Sequence, residues 1–189
     1  YVLSTWGRNR MYNYVVSGHS QSYAFARNRY TEFLRSADPD GWYDRFRDRV
    51  GYVVVTAGAA SGRGRPTAYA TLFESFGSAA GSGPGVAHYR ALYASPDGGT
   101  KAFALVPGAR IVGRSDPDAD ASVTAVAEVS IPGATFEYRQ RVEPDPEGRF
   151  EFTVANPGAY RVDGTRVTVS ERAVLEGETV PAGGDDAPE

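Results

Sequence analysis

Val86-Ala87-His88-Tyr89-Arg90-Ala91-Leu92-Tyr93-Ala94 is followed by Ser95-Pro96-Asp97-Gly98-Gly99-Thr100 and then by Lys101-Ala102-Phe103-Ala104-Leu105-Val106. Asp97-Gly98 is a tight-turn signal between two apolar runs, so the stretch predicts a β-hairpin. The texture of the chain differs on its two sides. Upstream, strand and helix patterns alternate. Downstream, after Pro107, short runs recur at roughly ten-residue spacing, namely Ala109–Arg114, Ser122–Val129, Thr135–Val142, Arg149–Val154, Ala159–Val162 and Arg166–Val169. Between them stand Asp116-Pro117-Asp118, Pro132-Gly133, Pro144-Asp145-Pro146, Pro157-Gly158 and Asp163-Gly164. Regular short strands broken by such turns indicate a β-sandwich.

Upstream, Val2 to Thr5 reads as a strand. Arg8–Val16 and Tyr23–Arg35 carry aromatic and aliphatic residues at helical spacing, with Tyr23, Ala26, Tyr30, Phe33 and Leu34 on one face. Asp38-Pro39-Asp40 supplies a cap and a proline, so a helix is expected through Trp42, Tyr43 and Phe46 to about Asp48. Gly51 precedes a buried strand, Tyr52–Thr56. Residues 57–66 read as a loop, Thr67–Phe76 as a helix with Tyr69, Leu72, Phe73 and Phe76 inward, and Gly77–Gly85 as a flexible stretch. The expected fold class is therefore α+β. A mixed α/β domain spans 1–106, and an antiparallel β-sandwich of transthyretin or carboxypeptidase-regulatory type spans 107–180. Residues 181–189 form a disordered acidic tail.

Composition bounds the function. Hydrophobic residues make up 41% of 189, enough for a globular core. A net charge of −3 argues against nucleic acid as the main partner. There is no cysteine, so thiolate chemistry and disulfides are excluded. No apolar run approaches the ~20 residues of a spanning helix. Lys101 is the only lysine. The chain opens on what reads as a strand already under way, as expected of a piece of something longer.

Several patterns suggest chemistry. Gly58, Gly62 and Gly64 follow a strand and precede a helix, as in dinucleotide-binding loops, where glycines let the backbone approach a pyrophosphate. A loop of small residues is the favoured alternative, because no further strand–helix units follow. Asp116, Asp118 and Asp120 alternate like the start of a calcium loop, but Ala121 and Ala127 stand where glycine and glutamate are required. His19 and His88 are far apart in sequence and read as structural. Arg8, Arg10, Arg27, Arg29 and Arg35 interleave with Tyr12, Tyr14, Tyr23 and Tyr30. That set suits phosphate or sugar binding, or else a solvated arginine face over an aromatic core. No Asn-x-Ser/Thr acceptor is present, since proline follows Asn156.

The apolar run 50–56, the His88-Tyr89-Arg90-Ala91-Leu92-Tyr93-Ala94-Ser95 strand and its return, ending in Val106-Pro107-Gly108-Ala109, resemble the exterior soluble region of archaeal oligosaccharyltransferases of the AglB type. The resemblance covers about residues 1–113, and the sandwich fits the accessory module of some members. Enzymes of this family transfer a lipid-linked oligosaccharide to asparagine of an acceptor polypeptide. A WWDYG motif in the soluble region recognises the acceptor's Ser or Thr. Here Ser4-Thr5-Trp6-Gly7-Arg8-Asn9 occupies that place; one tryptophan and a glycine match, the aspartate and tyrosine do not. The resemblance implies acceptor contacts at Trp6, Gly7, Arg8, Asn9 and Tyr12, and no catalytic or metal-binding residue in this piece. A divalent metal, Mn or Mg, is implied in the absent membrane part. Placement is implied on the outer side of the plasma membrane. The rival readings are a cell-surface carbohydrate- or protein-binding module and a nucleotide-binding domain using the 58–64 glycines.

Overall fold

In a computed structural model, residues 1–19, 24–60, 67–81, 83–115 and 122–183 are described. The fold falls into two compact units. One comprises Tyr1–Gly77, Tyr89–Leu105 and Ser130–Ala134; the other comprises Ser78–His88, Val106–Val129 and Thr135–Glu189. The units interleave along the chain, so no single cut such as 106/107 separates them.

The first unit is built on a four-stranded sheet. Its strands are β1 (Val2–Leu3), β2 (Tyr52–Thr56), β3 (Tyr89–Ala94) and β4 (Thr100–Leu105), in the order β1-β2-β4-β3. The three valines of β2 favour a strand at the centre of a sheet, and Val53 and Val55 are fully buried. β1 runs parallel to β2; β4 is antiparallel to both β2 and β3, with a bulge between Ala91 and Tyr93. α1 (Trp6–Ser17) and α2 (Ala24–Arg35) separate β1 from β2 in sequence. Tyr30, Phe33 and Leu34 face inward from α2. Tyr23 lies outside the described residues. Asp38 accepts the Gly41 amide at 2.9 Å beside a 3-10 turn, Asp40–Trp42. That turn runs into α3 (Tyr43–Phe46), so helix replaces the longer span expected to Asp48 only in part. The core is aromatic. The Phe33 ring lies 5.2 Å from Phe46 and stacks 5.5 Å from Tyr89, while Trp42 lies 5.3 Å from Phe46.

The expected α-helix over 67–76 is centred on a π-helix, Ala70–Glu74. Thr67 Oγ1 accepts the Ala70 amide at 3.2 Å and starts it, and the Gly77 amide reaches Thr71 O at 2.8 Å to end it. Tyr69 stacks on Phe73 at 5.2 Å. A wide turn leaves carbonyls free to be taken up from outside. Lys101 Nζ, from β4, donates to Phe73 O.

The second unit is a two-sheet sandwich. One sheet has the order β10-β9-β6-β7, from β6 (Val123–Ile131), β7 (Ala134–Val142), β9 (Gly158–Val162) and β10 (Thr165–Val169). The other has the order β11-β5-β8, from β5 (Ala109–Arg114), β8 (Arg149–Val154) and β11 (Thr179–Ala182). Burial alternates along β6, β8, β9 and β10, the mark of strands with one face in a core. Tyr138, Tyr160, Ile111, Val123 and Val154 are fully buried or nearly so. Burial pushes the Tyr160 phenol well above its usual pKa.

Three features differ from the sequence reading. Ser78 and Ala79 are not a free linker. They line the edge of β7, with Ala79 N–H on Arg139 O and Arg139 N–H on Ser78 Oγ, each at 2.9 Å. Pro181 and Ala182, placed in the tail, belong to β11, which pairs parallel to β5 in an otherwise antiparallel sandwich. A short helix, α4 (Glu171–Glu176), precedes it, capped by Ser170 Oγ on the Ala173 amide at 3.0 Å.

Candidate functional site

α1 meets β1 along the strand's edge, and its residues show why. β1 is the outermost strand, so the polar backbone of Val2 would be left bare on the side away from β2. Two asparagines four residues apart on α1 fill the role of a neighbouring strand. Asn13 Oδ1 accepts the Val2 amide at 2.9 Å, and Asn9 Nδ2 donates to Val2 O at 2.7 Å. Asn13 Nδ2 donates to Asn9 Oδ1 at 3.0 Å, and Asn9 Nδ2 also reaches Ser4 Oγ at 3.2 Å. Val2, Ser4, Asn9 and Asn13 are all buried.

This docking sets the start of α1 beside the end of β2. A cavity of about 390 Å³ opens there. Its walls are Thr5 and Arg8, Thr56 and Ala57 after β2, and Asp97, Gly99 and Thr100 from the β3–β4 turn. Thr5 Oγ1 and Thr56 Oγ1 lie 3.4 Å apart. The turn is held internally: Ser95 Oγ donates to Asp97, the Gly99 amide donates to the same carboxylate oxygen at 3.0 Å, and Ser95 Oγ accepts the Thr100 amide at 2.9 Å. The Ser95 hydroxyl, with the Gly99 amide, holds the Asp97 carboxyl below its usual range. Tyr30 donates to Val54 O at 2.9 Å, and burial pushes its pKa up to about 12. The Arg8 guanidinium has no side-chain partner among the described residues. The cavity thus offers one bidentate cation, three threonine hydroxyls and a fixed carboxylate, a set that recognises a polar ligand by hydrogen bonds.

Of the five residues singled out from sequence, Arg8 lines this cavity. Trp6 begins α1 at 40% exposure, Gly7 and Arg8 are exposed, and Tyr12 is half-buried. Asn9 is the exception. It is fully buried and its amide is spent on Val2 and Ser4, so it supports the site from behind and does not present a contact surface. Thr5, Thr56 and Thr100 were not singled out. Their positions at strand ends were the available signal.

Next to the cavity, Lys101 follows Thr100 on β4. Its ammonium sits 3.3 Å from the Phe76 ring centroid. Burial lowers its pKa to about 8, with Glu74 opposing. The π-face of Phe76 and the Phe73 carbonyl also favour the charged form. Phe76 itself has φ 52, a left-handed conformation costly for an aromatic residue.

Of the glycine loop, only its first glycine falls among the described residues. Gly58, with φ 74, gives its amide to the Tyr69 hydroxyl at 3.1 Å. Gly62 and Gly64 lie outside the described residues, as do Asp116, Asp118 and Asp120. β2, from which that loop leaves, has a parallel neighbour in β1 and an antiparallel one in β4, whereas dinucleotide-binding sheets are mostly parallel. His19 and His88 both bond backbone carbonyls, His19 to Ser17 O at 2.7 Å and His88 to Pro107 O at 3.0 Å. Among the described residues no group of three acidic or histidine side chains is placed to hold a metal. No helix among them is long and apolar enough to cross a membrane. A wider groove of about 840 Å³ in the sandwich is lined by Arg114, Asp145, Arg149 and Glu151. Arg149 is committed there to Asp145 at 2.8 Å and Glu147 at 3.0 Å.

This α+β fold is shared with part of a solved archaeal oligosaccharyltransferase. The Archaeoglobus fulgidus enzyme in its apo form superposes with a TM-score of 0.66 at 14% identity, over 96% of this chain and 37% of that one. Its complex with an inhibitory peptide and a dolichol-phosphate gives 0.65 at 14% identity, over 96% and 37%. Its form tethered to an acceptor peptide containing the NVT sequon gives 0.66 at 13%, over 96% and 38%. Residues 108–180, less than half of the chain, match the family described as archaeal glycosylation protein B long peripheral domain. No curated protein matches the chain. The chain spans little more than a third of the solved enzyme it resembles.

Proposed function

We propose that this chain is the exterior soluble part of a membrane oligosaccharyltransferase and that it positions the acceptor polypeptide. The observation that carries the reading is the shared fold over 96% of the chain together with the peripheral-domain match at 108–180. In this reading the first unit presents the acceptor site and the second is the accessory sandwich. Arg8 and the threonine hydroxyls of the cavity bind the acceptor backbone or side chain, and Trp6 and Tyr12 flank it. The lipid-linked donor and a divalent metal belong to the portion outside this chain, so the chain alone transfers nothing.

Kinetics of the full-length protein with an acceptor peptide test this. A guanidinium hydrogen bond to a ligand contributes about 1.5–3 kcal/mol, so Arg8→Ala should raise KM for the peptide about 10- to 100-fold. Trp6→Ala should act in the same direction. Unchanged KM and kcat in both variants, with folding intact, would reject the acceptor site.

A further inference from the structure

α1 is amphipathic in the reverse sense. Surface helices normally bury their apolar stripe and expose polar residues. Here the buried positions are Asn9 and Asn13, and the outward ones are Met11, Tyr14 and Val15, exposed by 53, 61 and 76%. Single exposed apolar residues are ordinary, but these three share one side of one helix. At roughly 100° per residue, Arg8 and Arg10 fall on opposite flanks of Met11. Trp6 stands at the helix start, 40% exposed. No aspartate or glutamate occurs between Trp6 and Ser17.

We propose that α1 is an interfacial helix whose Met11–Tyr14–Val15 face rests on an anionic lipid surface. Apolar and aromatic side chains enter the headgroup boundary, while arginines on both flanks reach lipid phosphates along their own aliphatic stems. The charge pattern selects this occupant. In a two-fold pairing with a second copy, Arg8 and Arg10 would approach their equivalents, and α1 supplies no carboxylate to balance them. An anionic bilayer supplies the opposite charge across its whole face. The lipid face shares Arg8 and Trp6 with the acceptor reading, but Arg10, Met11 and Val15 lie outside the cavity, so variants at those three test it separately.

The test is co-sedimentation of the chain with vesicles of phosphatidylcholine alone and with phosphatidylglycerol added, alongside tryptophan emission. Trp42 is buried, so a lipid-induced blue shift reports on Trp6. The expected result is binding that requires the anionic lipid, weakens with salt and is accompanied by quenching from brominated acyl chains. Val15→Asp and Met11→Asp should each lower the bound fraction about tenfold. Arg10→Glu should do the same for anionic vesicles only, by about tenfold. All three positions are solvent-exposed, so thermal unfolding should match the parent. No binding by the parent chain, or full binding by Val15→Asp, would overturn the proposal. So would a dimer that Val15→Asp dissolves in the absence of any lipid binding, which would assign the face to a second copy.

Discussion

Replacing Asn13 by alanine should unpin the first strand. The Val2 amide is buried and its acceptor is Asn13 Oδ1 at 2.9 Å. Leaving a buried donor without an acceptor costs about 1–3 kcal/mol. The same change strips Asn9 Oδ1 of its donor at 3.0 Å, worth about another 1 kcal/mol. The expected loss is therefore about 3 kcal/mol, a large share of the roughly 5–15 kcal/mol of a typical domain. For a chain of this size that corresponds to a fall in Tm of about 6–12 °C. Hydrogen exchange at the Val2 amide gives the local readout and should accelerate strongly. Met11→Ala on the opposite side of α1 is the control and should stay within about 0.5 kcal/mol of the parent. If Asn13→Ala is no more destabilised than Met11→Ala, the asparagines are not standing in for a strand and the account of α1 docking is wrong.

Gly108 has φ +77, and an added Cβ would lie 2.5 Å from Thr153 Cγ2 and 2.7 Å from Ala87 O. Gly108→Ala should cost about 3 kcal/mol in urea unfolding. Gly58→Ala, at φ +74 with open space, should cost about 1–2 kcal/mol; equal losses would remove the steric argument. Burial raises the pKa of Tyr30, to about 12, and those of Tyr89 and Tyr160 as well. The folded state therefore keeps protons that the unfolded chain gives up near pH 10. The stabilisation is complete below that pH and is lost as pH rises above it, by up to about 1.4 kcal/mol per pH unit for each tyrosine. Absorbance at 295 nm should show three phenols ionising only with unfolding. Three that ionise reversibly near pH 10 in the folded protein would contradict their burial.

Strands with strong local signals were legible. β2, β5 and β8 occupy the runs Tyr52–Thr56, Ala109–Arg114 and Arg149–Val154 that the pattern marked. β11 was not, because Pro181 reads as a breaker; on the outermost strand of a sheet its missing amide costs no ladder bond. The π-helix was read as α because apolar spacing does not distinguish the two over one turn, and the Phe73 carbonyl is taken up by Lys101 Nζ, 28 residues away. Arg8 was legible from an arginine–tyrosine helix that follows a strand. Thr5, Thr56 and Thr100 were not, since threonine at a strand end is common and only the folded sheet brings them together. The burial of Asn9 was not legible for a related reason. Composition does not disclose that a helix will dock on the edge of a sheet, where amides outperform leucines.

The parallel pairing of β11 with β5 has a mechanical meaning. These are the last and first strands of the sandwich's three-stranded sheet, and they run in the same direction, with Thr179 beside Arg110 and Ala182 beside Gly113. A pull applied between the start of β5 and the end of β11 acts along both strands in opposite senses. All the cross-strand bonds of the pair then bear the load together and must break at once, whereas an antiparallel terminal pair would unzip one bond at a time. The pair is thus loaded in shear along its whole length, like a clasp and not a zip.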